Sequence, residues 1–192
     1  KEERLQKLQD YDSYLALLQK ELKQRRQELE TAAEQLSNER KAQALQLEKA
    51  IETELKDLNF AEVQFQIHFD KLADYTADGV DDVEFLISMN PGQPVKPLAE
   101  VASGGELSRT MLAIKTVMAD RDEIETLIFD EIDVGISGRT AQKVSEKMAV
   151  IGRNHQVICI THLAQIAAQA DQHYLIEKTV DGGVTRTEIR KL

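Results

Sequence analysis

The chain has no tryptophan, one cysteine and three prolines in 192 residues, and aromatics make up only 5% of it. A single thiol excludes an intrachain disulfide, so packing must supply the stability. Cys159 lies in the apolar run Val157-Ile158-Cys159-Ile160 and is expected to be a small buried core residue. The first sixty residues are crowded with Leu, Glu, Gln, Lys and Arg, which predicts that much of the chain builds no deep core of its own. A basic balance is also lacking. With 24 Lys and Arg against 34 Asp and Glu, the net charge is −10. A general phosphate-gripping surface is therefore excluded, and any nucleic-acid contact must be local or carried elsewhere. No apolar run approaches the roughly 20 residues of a membrane span. The opening Lys1-Glu2-Glu3-Arg4 has neither an initiator Met nor a signal peptide's apolar stretch. These features predict a cytoplasmic chain with no membrane partner, beginning in mid-helix.

What is present is order of two kinds. Leu8, Leu15, Leu22, Leu29 and Leu36 recur every seven residues, with Tyr11, Leu18, Arg25 and Ala32 three residues after the first four. This is a coiled-coil stripe. It slips at Leu47, eleven residues after Leu36, and resumes through Ile51, Leu55 and Leu58, as a stutter would. Neither Gly nor Pro interrupts residues 1 to 58, which predicts a single long helix needing a partner helix. One amphipathic helix lying on a globular core is the competing reading. Lys20, Lys23, Arg25 and Arg26 form the one notable basic cluster, a pattern that is usually a solvated helix face.

From residue 59 the period changes and a globular domain is expected over 59–192. Val63, Phe65, Ile67 and Phe69 alternate with polar residues as in a half-exposed strand. Val83 to Met89 is a second strand, closed by turns at Pro91, Gly92, Pro94 and Pro97. A helix then carries Leu107, Met111, Ile114 and Met118 on one face, followed by a buried strand at Leu127 to Phe129. Val144, Met148 and Ile151 mark another helix, and Val157 to Ile160 a second buried strand. Such alternation predicts an α/β fold with a parallel sheet and covering helices. A short helix near Leu163 to Ala170 and two strands, Tyr174 to Glu177 and Val184 to Ile189, joined through Asp181-Gly182-Gly183, complete the chain.

Three places carry chemistry. Ala102-Ser103-Gly104-Gly105-Glu106 stands directly before an apolar helix, where glycines and a helix N-terminus can receive a phosphate. Ser103 with Glu106 three residues on also fits a capping box. Leu127-Ile128-Phe129-Asp130-Glu131 delivers two carboxylates to the C-terminal end of a strand, where open α/β sheets bind ligands. There the first acid can hold Mg²⁺ and the second can act as general base, although such carboxylates also cap helices. After a loop with Asp133, Gly135, Ser137 and Gly138, the next strand ends in Thr161-His162, so a histidine reaches the same edge and can hydrogen-bond a terminal phosphate. His68, His155 and His173 have no comparable setting.

In this order the motifs resemble the C-terminal lobe of ABC and SMC ATPase heads. The strings Leu98 to Arg109, Phe129 to Ile136 and Thr161 to Ala167 resemble the RecN family of bacterial DNA-repair ATPases in particular. The likeness covers residues 59 to 178 in detail, and residues 1–58 fit the returning helix of that family's coiled-coil arm. The resemblance implies the C-terminal lobe of an ABC/SMC-type P-loop NTPase head working in double-strand-break repair and recombination, bacterial and nucleoid-associated. It implies that Ser103, Gly104, Gly105 and Glu106 meet ATP held by an opposing head. Asp130 would bind Mg²⁺, Glu131 and His162 would be catalytic, and Asp133 would lie at the interface between heads. The implied cofactors are ATP and Mg²⁺. The implied partners are an N-terminal Walker A lobe of the same protein, a second head and DNA. One departure stands out: none of the nine glycines precedes a lysine, so this sequence holds no Walker A motif and is expected to form no complete ATP site alone. Another SMC or ABC ATPase with a coiled-coil arm, or a structural module with a non-hydrolysing head, are the alternatives.

Overall fold

The computed structural model describes residues 2–192 except Pro91, Ala102 and Gly182, and omits the side chains of residues 2–9 and Asp181. The expected turn residue Pro91, the Ala102 of the glycine-rich motif, Gly182 and the Leu8 side chain therefore lie outside the described residues. Helix α1 runs from Glu2 to Asp57. It stops where Asn59 adopts φ +73° and Phe60 N–H reaches back to the Leu55 carbonyl at 3.2 Å, a left-handed termination that Asn tolerates. The chain divides into two compact units, residues 1–46 with 68–84 and residues 47–67 with 85–192.

The first unit holds most of α1 together with the outer part of a hairpin formed by β1 (Gln64–Thr76) and β2 (Gly79–Ser88). The sequence pattern marks only the inner parts of both strands, because beyond Phe69 their residues turn polar. Tertiary contacts hold the outer part in place. Ser37 Oγ donates to Asp81 at 2.6 Å, Arg40 pairs with the same carboxylate at 3.1 Å, and Lys41 stands over the Phe69 ring. Gly79 is required at φ +102°, with the Leu36 side chain against its open face. On the rest of this stretch the heptad leucines are exposed: Leu22 is 56% and Leu29 45% accessible.

The second unit contains the core. Ile51, Leu55 and Leu58 of α1 cluster there with Phe65, Ile87, Leu112, Ile132, Val144 and Ile151. β2 pairs antiparallel with a two-residue strand β3 (Lys96–Pro97), which leads through a 3₁₀ turn at Leu98–Glu100 to helix α2 (Gly104–Met118). β4 (Thr126–Phe129), α3 (Gly138–Ile151) and β5 (Gln156–Cys159) follow, and β4 and β5 pair in parallel from Thr126↔Gln156 to Phe129↔Cys159. Helix α4 (Ala164–Ala167) precedes an antiparallel hairpin of β6 (Tyr174–Asp181) and β7 (Val184–Lys191). A buried lysine also joins α3 to α1, Lys147 reaching Glu54 and Asp57.

Three sequence expectations need correction. The face of α2 is rotated. Leu112, Ala113 and Thr110 are its deepest residues, Ile114 is buried, Leu107 and Met111 are half-buried and Met118 is exposed. β4 and β5 are not buried on both faces, since Leu127 and Phe129 point inward while Ile128 is 66% exposed and Ile158 is exposed as well. Their apolar runs carry no alternation, so pattern could not say that only one face is covered. For the same reason Cys159 is half-buried rather than buried, though enough that desolvation pushes its thiol up to about 11.

Candidate functional site

Parallel pairing decides the geometry of the site. Because Phe129 stands opposite Cys159, and Ile160 N–H donates to the Phe129 carbonyl at 2.9 Å, the chain leaves β4 and β5 side by side. Asp130-Glu131 and Thr161-His162 therefore emerge at one sheet edge. Asp130 is exposed, and its Oδ1 accepts the Glu131 N–H at 2.8 Å. Its second oxygen has no partner among the described residues. Glu131 adopts φ +57°, a left-handed conformation that costs a non-glycine residue about 1 kcal/mol or more and concentrates at functional sites.

This turn aims Glu131 at the start of α2. Ser103 is the N-cap, its Oγ accepting the Glu106 N–H at 3.4 Å, so half of a capping box is formed. Among the described residues no Glu106 side-chain bond closes the other half. Gly104 lies so near Glu131 that a Cβ there would stand 1.9 Å from Glu131 Oε2, and a Cβ on Gly105 would stand 3.0 Å from the Glu131 carbonyl oxygen. The glycines are thus needed for close approach. The Glu131 carboxylate rests at a helix N-terminus, where the axial dipole favours an anion.

Two residues tie the loop after β4 in place. Arg109 is buried on α2, and its Nη1 donates to the carbonyls of Ile132 at 3.2 Å and Val134 at 2.8 Å while its guanidinium lies over the Phe60 ring. Its Nε has no hydrogen-bond partner among the described residues, and burial lowers the pKa of the group. Asp133, only 4% exposed, faces β5: its Oδ2 accepts Thr161 Oγ1–H at 2.6 Å and the His162 N–H at 2.8 Å, and lies 3.0 Å from His162 Nδ1. Burial pushes this carboxyl up, but the bonds from Thr161 and His162 outweigh it and hold it below the usual range. The His162 side chain is 74% exposed.

No protein-family model matches the chain. Among curated proteins it is 44% identical over 195 residues to the DNA repair protein RecN of Halalkalibacterium halodurans and 39% identical over 206 residues to that of Bacillus subtilis, each match covering 100% of the chain. To RecN of Treponema pallidum it is 48% identical over 162 residues, 81% of the chain. The chain belongs to the RecN family. It spans 34%, 36% and 28% of those three relatives, corresponding to their C-terminal portion. Solved structures agree on the fold. The Smc head domain of Pyrococcus furiosus, with an extended coiled coil and bound to the C-terminal domain of ScpA, matches at TM-score 0.51 and 20% identity over 79% of this chain and 36% of that one. The Smc head domain of Pyrococcus yayanosii, with a coiled coil and joint, matches at 0.52 and 23% over 78% and 27%. At such identities the likeness concerns fold alone: an α/β lobe of an SMC-type head.

Within this RecN-family lobe the structure brings Gly104, Gly105 and Glu131 into contact and joins Asp133 to His162. It turns the Asp133 carboxylate toward Thr161 and His162. Val134 is the exposed apolar side chain of that loop. Sequence reasoning assigned no role to Arg109 or to the Thr161 hydroxyl. A charged residue six positions past an N-cap gives no local sign of being buried, and only the tertiary contacts reveal it. His155 was also passed over, yet its Nδ1 lies 2.7 Å from the Ile124 carbonyl oxygen and its Nε2 3.0 Å from that of Ala119.

Proposed function

We infer that this RecN-family lobe forms half of an ATP-hydrolysing head, completed by an N-terminal lobe bearing the phosphate loop, and that two heads pair around ATP to organise DNA ends in double-strand-break repair. The observation that carries the reading is the delivery of Asp130, Glu131 and His162 to one edge of the parallel pair, beside the glycine-rich start of α2. The residues fit the cofactors. Mg²⁺ is ordinarily held by one or two carboxylates together with phosphates and waters. Asp130, whose second oxygen has no partner among the described residues, suits that. Bound Mg²⁺ supplies charge neutralisation for phosphoryl transfer.

In this site Glu131 orients and deprotonates the attacking water, and His162 offers Nε2 to the terminal phosphate. Ser103, Gly104, Gly105 and Glu106 receive the γ-phosphate of the opposing head. The Glu131 carboxylate lying beside Gly104 supports that assignment, because the bare glycine leaves an acidic group room to approach the helix start. The same contact means that a phosphate arriving in trans displaces the carboxylate. RecN-family work of this kind belongs to the bacterial cytoplasm and nucleoid; no described helix is long and apolar enough to cross a membrane. Ser103→Arg in the full-length protein tests the reading. MgATP binding to single heads should persist while light scattering detects no ATP-dependent pairing and turnover is lost. Loss of binding by single heads would instead show that Ser103 serves only as a helix cap.

A further inference from the structure

We propose that Asp133 is a positioning residue for His162: its buried carboxylate determines which imidazole nitrogen carries the proton, and so which nitrogen is presented at the end of β5. The proposal rests on the reading of His162 as the group that faces the terminal phosphate, and deepens it by saying what sets its chemistry.

The contacts make the carboxylate the fixed partner and the ring the dependent one. Asp133 Oδ2 is braced by Thr161 Oγ1–H at 2.6 Å and by the His162 backbone N–H at 2.8 Å, and neither donor depends on the imidazole. Thr161 is itself held, its Oγ1 accepting the Leu163 N–H at 3.0 Å. The loop on which Asp133 sits is anchored from the other side by Arg109 through the carbonyls of Ile132 and Val134. Against this fixed oxygen His162 Nδ1 approaches to 3.0 Å, while the rest of the side chain is 74% exposed.

A carboxylate oxygen can only accept. The Asp133 charge 3.0 Å away favours a proton on the near nitrogen, Nδ1, in the neutral ring, and on both nitrogens in the imidazolium. Nε2 is then the nitrogen left for a ligand. In the neutral ring it accepts; once protonated it donates to a phosphate oxygen, and the Asp133 charge balances the cation. Carboxylates that orient a working histidine through its second nitrogen recur in metal sites and triads, and losing one costs about 10- to 100-fold in function.

The test uses full-length protein labelled with ¹⁵N-histidine, the His162 signal being assigned by its disappearance in His162→Gln. Without nucleotide, at alkaline pH where the ring is neutral, the ¹⁵N shifts should show a protonated Nδ1. In Asp133→Asn, which can still accept from Thr161 and from the backbone but lacks the charge, the population should move at least about threefold toward the Nε2–H tautomer. ATPase kcat should fall about 10- to 100-fold, with KM changed by less than about threefold. A wild-type Nδ1 without its proton overturns the proposal. So does an unchanged tautomer in Asp133→Asn, even if hydrolysis falls, because Asp133 would then act only by holding the loop. Should Asp133→Asn fail to fold, the wild-type spectrum decides alone. A wild-type protein that shows the Nδ1 proton yet hydrolyses no ATP would sink the ATPase reading and leave the Asp133–His162 assignment standing.

Discussion

Two stretches of α1 treat the same side chain in opposite ways. In the first unit Leu22 and Leu29 keep about half of their surface in solvent, whereas in the second unit Ile51 and Leu55 are completely buried. Composition hardly differs between them. What differs is whether other elements of the same unit close over the apolar face. Full burial of such a side chain stabilises by roughly 1.5–3 kcal/mol, so the second stretch gains from the fold what the first still offers to a partner. A heptad therefore shows which face seeks cover. It does not show what provides it, and an exposed apolar stripe of this length marks an interaction surface.

The comparison can be broken at several levels. The largest effect belongs to chemistry, which this reading confines to the second unit: Glu131→Gln in the full-length protein should slow single-turnover ATP hydrolysis by at least about 100-fold while ATP-dependent pairing persists. Asp130→Asn should lose productive binding as well. Hydrolysis by Glu131→Gln within a few-fold of wild type would remove Glu131 as the base. Next comes packing. Leu112→Ala, at a fully buried position, should cost about 2–5 kcal/mol in denaturant unfolding, against about 0.5 kcal/mol or less for exposed Leu22→Ala in protein whose arm is unpaired. A cost at Leu22 approaching that at Leu112 would mean the stripe is already covered.

A finer contrast lies within the glycine-rich turn. Gly105→Ala forces a Cβ against the Glu131 carbonyl and the Val134 side chain and should destabilise by about 1–3 kcal/mol. Gly104→Ala meets only the movable end of Glu131, so it should be nearly neutral to unfolding and should instead displace that carboxylate. Equal losses from the two would deny the close approach. The smallest effects concern pH. His155 has its pKa raised by the carbonyls of Ala119 and then Ile124, and both ring nitrogens are satisfied there only as imidazolium. Its contribution is complete below the unfolded value of about 6.5 and fades as pH rises through the higher folded value; His155→Gln should flatten that slope. In the first unit Asp81 has its pKa lowered by the hydroxyl of Ser37 and then by Arg40, against burial. Its contribution holds above about 3.9 and fades as pH falls through the lower folded value. Hydrogen exchange in residues 68–84 that is insensitive to acid would contradict it.

Much of the fold could be read from pattern. Residues 2 to 57 form one helix because nothing in them interrupts one, and α3 buries Val144, Met148 and Ile151 as their spacing predicts. The antiparallel pairing of β6 with β7 was equally plain. Less legible were the outer part of β1 and β2, whose polar residues are held by Asp81 rather than by alternation, and the exposed face of β4 and β5. At the candidate site the residue types and their order were visible. Their contacts were not, as Arg109 and the inward-facing Asp133 show.

The sequence by itself determined the local rules: an uninterrupted helix, glycines before α2, acids after one apolar run and a histidine after another. Each follows from interactions within a few residues, namely propensity, capping and periodicity. Only the tertiary structure decided that one face of β4 and β5 stays open, that Glu131 turns back onto Gly104, and that Asp133 braces His162 from 29 residues away. Those choices depend on which surfaces meet once the core closes, and no short-range pattern in the chain encodes that meeting.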